Sequence, residues 1–111
     1  NKVNYGLLVR FLRGSHGKDW DEVYSEIISR IPTKLLDYKD IIFDFVAVKI
    51  EVIDGKLWNK SSQKYIWREE DSEFLKTLTY PNFPDIVEFY VDPNTNLLIY
   101  VPQKSFKRRK S

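Results

Sequence analysis

Val46-Ala47-Val48-Lys49-Ile50-Glu51-Val52-Ile53-Asp54-Gly55-Lys56-Leu57-Trp58 is the stretch where the chain changes period. Val46, Val48, Ile50 and Val52 alternate with Ala47, Lys49, Glu51 and Ile53, the two-residue repeat of an extended strand. Asp54-Gly55 follows, a pair that accepts the left-handed backbone of a tight hairpin. Lys56-Leu57-Trp58 is the return strand. Before this stretch apolar residues recur at helical spacing; after it they come in short runs between turn residues. Helices followed by strands, rather than the two alternating, predict an α+β fold.

Working back toward the start, Trp20, Val23, Tyr24, Ile27, Ile28 and Ile31 form one face of a helix. Asp19 is placed to cap it, with Glu22 three residues later in a capping-box arrangement, and Pro32 ends it. Tyr5 to Arg13 predicts a shorter helix, broken by Gly14-Ser15-His16-Gly17. Thr33 can cap a third helix through Leu35, Leu36, Tyr38, Ile42, Phe43, Phe45 and Val46.

Working forward, Gln63 to Trp67 is a third strand after the turn Asn59-Lys60-Ser61-Ser62. Acidic residues at Glu69, Glu70, Asp71 and Glu73 can open a short helix through Phe74, Leu75 and Leu78. Tyr80-Pro81-Asn82-Phe83-Pro84 is irregular, since proline lacks the ladder N–H. Ile86 to Val91 and Leu97 to Val101 make a second hairpin around Asp92-Pro93-Asn94-Thr95-Asn96. The expected architecture is about three N-terminal helices, then a small antiparallel sheet of two hairpins and a basic C-terminal tail. Residues 1–101 are read as one domain and 102–111 as an extension.

The chain has 111 residues, 42% apolar and 31% charged, a balance that fits one soluble domain. Without cysteine it has no disulfide, thiol nucleophile or thiolate metal site. Its single histidine, His16, leaves a zinc site to carboxylates. No apolar run approaches a membrane span of roughly 20 residues. No signal-like segment opens the chain, residues before Asn1 are expected because it does not start with Met, and the expected compartment is the cytoplasm.

Charge is distributed unevenly. Of 18 Lys and Arg, five lie in the last ten residues with no acidic neighbour, and the other 13 face 16 Asp and Glu. An acidic body with a dense basic arm points to phosphate. Lys104, Lys107, Arg108, Arg109 and Lys110 are the expected phosphate contacts, and Phe106 an expected stacking residue. The loop with Arg10, Arg13, Ser15, His16 and Lys18 gathers further cations beside a helix N-terminus. Asp19 competes there, because its carboxylate would take the same N–H groups.

Other constellations read more simply. His16 lies between glycines with no nucleophile or carboxylate at a useful spacing, so it is an RNA-contacting or surface residue rather than a base. Asp37, Asp40 and Asp44 fall at helical spacing among lysines, the pattern of a solvated face. Ser25 lacks the Gly-x-Ser-x-Gly turn of a hydrolase nucleophile. Trp20 belongs to the apolar helix face, while Trp58 and Trp67 suit cross-strand ring packing more than RNA stacking.

The segment Gly17-Lys18-Asp19-Trp20-Asp21-Glu22-Val23-Tyr24-Ser25-Glu26-Ile27 resembles a motif of a family of small, uncharacterised bacterial proteins. In that family Gly-basic-x-Trp-Asp/Asn-x-Val-Tyr-Ser-Glu-Ile precedes a Val-rich strand and an Asp-Gly turn. A phrase similar to Phe89-Tyr90-Val91-Asp92-Pro93-Asn94-Thr95-Asn96-Leu97-Leu98 and a basic end close it. Asp19 stands where the family often has Pro. The resemblance implies a small accessory protein and no enzymology. In build the chain is similar to lineage-specific ribosomal proteins, compact α+β bodies with basic extensions.

The expected function is thus a non-catalytic RNA-binding structural protein, ribosomal or ribosome-associated. Its partners would be RNA, chiefly rRNA, and neighbouring ribosomal proteins. No cofactor, metal, membrane or small-molecule substrate is expected. The alternative is a protein-interaction module, such as an immunity or antitoxin-like partner, that uses the acidic body.

Overall fold

The computed structural model describes residues 5–30 and 38–102. Among them the order is α1 (Tyr5–Gly14), α2 (Trp20–Arg30), α3 (Tyr38–Phe45), β1 (Val46–Ala47), β2 (Ile50–Ile53), β3 (Lys56–Asn59), β4 (Lys64–Tyr65), a 3₁₀ turn (Glu69–Asp71), α4 (Ser72–Leu75), β5 (Phe89–Val91) and β6 (Leu98–Tyr100). The α+β class holds. The expected start of the third helix, from Thr33 to Leu36, lies outside the described residues.

The helices form where capping and periodicity place them. Asp19 Oδ2 accepts the Glu22 N–H at 3.2 Å, and the Asp19 carbonyl accepts that of Val23 at 3.0 Å. Trp20, Val23 and Ile27 of α2 are buried against Leu8 and Leu12 of α1 and Ile42 of α3. α1 ends at Gly14, and the hydroxyl of the next residue, Ser15, donates to the Phe11 carbonyl at 2.9 Å.

The strands depart from the single antiparallel sheet expected. They form two three-stranded sheets, ordered β1-β5-β6 and β2-β3-β4. The alternating run Val46–Ile53 is not one strand: Val46 and Ala47 pair parallel with Phe89 and Tyr90, and after Val48-Lys49 the chain enters the second sheet at Ile50. The physical reason is double burial. β5 is buried at all three positions, so it needs a neighbour on each edge and cover on each face. Phe89 and Val91 face the helices with Val46 and Leu98, while Tyr90 and Ala47 face Ile50, Leu57 and Ile66 of the second sheet. Helices, sheet and sheet therefore stack in three layers, joined also by the parallel bridge between Ile66 and Asp85.

The Asp54-Gly55 hairpin forms as read. Both residues have positive φ, 52° and 79°, as a two-residue type I′ loop requires, and Ile53 pairs with Lys56. Arg68 braces it, donating from Nη2 to the Gly55 carbonyl at 3.0 Å and from Nε to Asp71 at 2.8 Å. α4 is the short acidic-start helix, a fourth helix beyond the three expected. Trp20 is 8% exposed, in the core as read. Trp58 packs edge-on against Tyr65 at 5.0 Å, ring packing across strands. No helix among the described residues is long and apolar enough to cross a membrane.

Candidate functional site

The loop between α1 and α2 lies along the free edge of β6. The Gly17 N–H donates to the Leu98 carbonyl at 2.7 Å, and the Leu98 N–H donates to the Lys18 carbonyl at 2.9 Å. At the next ladder position a side chain replaces the backbone: the Tyr100 N–H donates to His16 Nδ1 at 2.9 Å. Gly17 has φ +86°, the left-handed conformation that lets the loop turn onto the strand, and glycine adopts it without the cost of a Cβ.

This bond fixes the chemistry of His16. With Nδ1 accepting, the neutral ring carries its proton on Nε2, and the residue is exposed. Arg13 is engaged differently. Its Nε and Nη2 donate to Glu88 Oε2 at 2.8 and 2.6 Å, and the guanidinium lies 5.6 Å from the Tyr100 ring centroid. The hydrogen bond to Glu88, with its negative charge, holds the Arg13 pKa above an already high value. Arg10 and Lys18 are exposed and have no ion-pair partner among the described residues.

Most N–H groups at the N-terminus of α2 are already taken. The Trp20 N–H donates to the Asn96 carbonyl at 2.7 Å, and Glu22 and Val23 are taken by Asp19. Asn96 Nδ2 donates to Asp19 Oδ1 at 3.0 Å. Asn96 has φ +62°, and the Asp92 carboxylate turns the loop before it by accepting the Asn94 and Thr95 N–H groups. The competition from Asp19 therefore prevails over an incoming phosphate at those groups. The segments around Asp19-Trp20 and around Asp92–Leu98 meet here and hold each other.

The strand that leads into the basic extension leaves beside this loop. The Val101 N–H donates to the Glu88 carbonyl at 2.7 Å, on the residue that pairs with Arg13. Lys104, Phe106, Lys107, Arg108, Arg109 and Lys110 lie outside the described residues. Of the predicted contacts the structure thus brings together Arg13, His16 and Lys18 around β6, with Arg10 one turn earlier on α1. Glu88 and Asn96 were not foreseen. An Asp-Pro-Asn-Thr-Asn turn ending in a residue that tolerates positive φ was the available signal for Asn96; nothing in the sequence marked Glu88.

A second feature is a cleft of about 460 Å³ between α3–β1, the turn after β3 and the segment before β5. In it the Ser62 hydroxyl donates to Asp85 Oδ2, and Asn59, buried, accepts the Ser61 N–H at 3.0 Å. These contacts close the turn and tie it to Asp85. Among the described residues no three His, Cys, Asp or Glu side chains converge as a metal-holding group. Asp44 is exposed, and Ser25 lies on the exposed face of α2 without a histidine beside it. Comparison with family models, curated proteins and solved structures gives no match.

Proposed function

We propose that this chain is a non-catalytic RNA-binding protein of the structural, ribosome-associated kind, with residues 104–110 tracking phosphates and the α1–α2 loop docking beside them. Arg10 and Lys18 supply uncompensated charge, His16 an Nε2–H donor, and Arg13 holds the loop to Glu88 while presenting part of its guanidinium. The observation that carries the reading is the ladder from His16, Gly17 and Lys18 to Leu98 and Tyr100. It joins the folded body's exposed cations to the strand from which the basic extension leaves. Binding through shape and phosphates suits folded RNA, whose deep major groove side chains do not read.

Sedimentation tests it. The full chain should co-migrate with ribosomal particles in a sucrose gradient of native lysate, and a chain ending at Pro102 should remain at the top. If both forms stay at the top, the reading fails.

A further inference from the structure

The cleft beside β1 has a chemistry opposite to that of the loop. Its lining is mixed: Val46 and Ala47 are buried and Phe45 and Val87 half-buried, while Asn59, Ser61 and Ser62 add polar groups. At its mouth the large apolar side chains of Phe43 and Ile86 are 44% and 48% exposed. Three carboxylates line it, from Asp44, Asp85 and Glu88, and among the described residues no lysine or arginine does. Arg13 balances Glu88, and Asp85 is hydrogen-bonded to Ser62, but Asp44 has no ion-pair partner among the described residues.

We propose that this cleft docks a lysine- and arginine-rich segment of a partner protein that also carries an aromatic or large aliphatic residue. Charge complementarity selects that occupant. Phosphate would meet uncompensated carboxylates, and an uncharged apolar ligand would leave Asp44 and Asp85 beside it without a counter-charge. Lysine and arginine satisfy both parts of the site, because their aliphatic stems lie on apolar surface while their heads reach carboxylates. The partner's apolar residue sits between Phe43 and Ile86. The volume falls within the roughly 300–1,000 Å³ of clefts that enclose a ligand. The acidic body favours approach of a basic segment, since 16 acidic residues face 13 basic ones outside the extension. The proposal does not rest on the RNA reading, although Glu88 at the cleft's edge is also the partner of Arg13.

The test uses the full chain, labelled with ¹⁵N, and a synthetic heptapeptide of lysine and arginine around one central phenylalanine. Backbone amide shifts should be confined to Val46, Ala47, Ser62, Ile86 and Val87. Asp44→Ala combined with Ile86→Ser, both exposed positions, should weaken binding by about tenfold. Replacing the peptide's phenylalanine by alanine should weaken it as well, a comparison that needs no change in the protein. Asp21→Asn with Glu26→Gln, on the acidic face of α2, should leave it unchanged. The proposal is overturned by shifts spread over α2, by equal binding of a glutamate version of the peptide, or by no shift at millimolar peptide. It is also overturned if an oligouridylate moves the same amides. Binding that appears only after Lys107→Ala, Arg108→Ala and Arg109→Ala overturns the partner assignment and gives the cleft to the chain's own extension.

Discussion

His16 accepts a backbone hydrogen bond at a place where a β-ladder would offer a carbonyl. Its replacement by alanine leaves the Tyr100 N–H without that acceptor. His16→Ala should cost about 1 kcal/mol in denaturant unfolding and speed hydrogen exchange at the Tyr100 amide. An unchanged Tyr100 amide would show that the bond is not formed in solution. Asp19 and Asn96 act as a pair, one capping α2 and the other holding the cap in place. Asp19→Ala should cost about 1 kcal/mol. Adding Asn96→Ala should cost less than the two single losses combined, which a double-mutant cycle reads directly. Tyr90 is buried, and burial raises its pKa above 10.0, with the hydrogen bond from Arg68 pulling the other way. The unfolded chain therefore loses this proton first. Stability from Tyr90 is intact below about pH 10 and falls as pH rises toward the folded-state value. Relative to Tyr90→Phe, the natural chain should lose stability as pH rises above about 10; a constant difference would contradict this.

Among the elements, legibility follows the range of the interactions. α2 was readable because Asp19, Glu22 and the apolar face lie within one local pattern, and the Asp54-Gly55 hairpin because its turn chemistry is confined to two residues. The break at Val48-Lys49 was not, since residues 46–53 alternate in the same way whether they form one strand or serve two sheets. Nor was the parallel partner of β1, which arrives more than 40 residues later as Phe89 and Tyr90. At the candidate site the cations were legible by type, but the commitment of Arg13 to Glu88 was not, because it depends on a contact 75 residues away. β5 is the element most exposed to damage, as it is covered on both faces. Phe89→Ala should cost about 3–5 kcal/mol in chemical denaturation. A loss below about 1 kcal/mol would mean that Phe89 is not the centre of the helical layer's packing.

Across the whole molecule, charge and packing divide the labour. Helices and two sheets bury the apolar residues around β5, while the loop on β6 carries exposed cations and the cleft beside β1 is lined by carboxylates. On the proposed function, phosphate contacts from the basic extension anchor RNA next to that loop. The most direct measurement is the salt dependence of binding to a folded ribosomal RNA fragment, for the full chain and for Lys107→Ala/Arg108→Ala/Arg109→Ala. The predicted result is weaker binding and a slope of log K against log salt that is shallower by about 2–3, one step for each phosphate contact removed. Equal affinity and equal slope for the two proteins would show that the extension does not hold RNA.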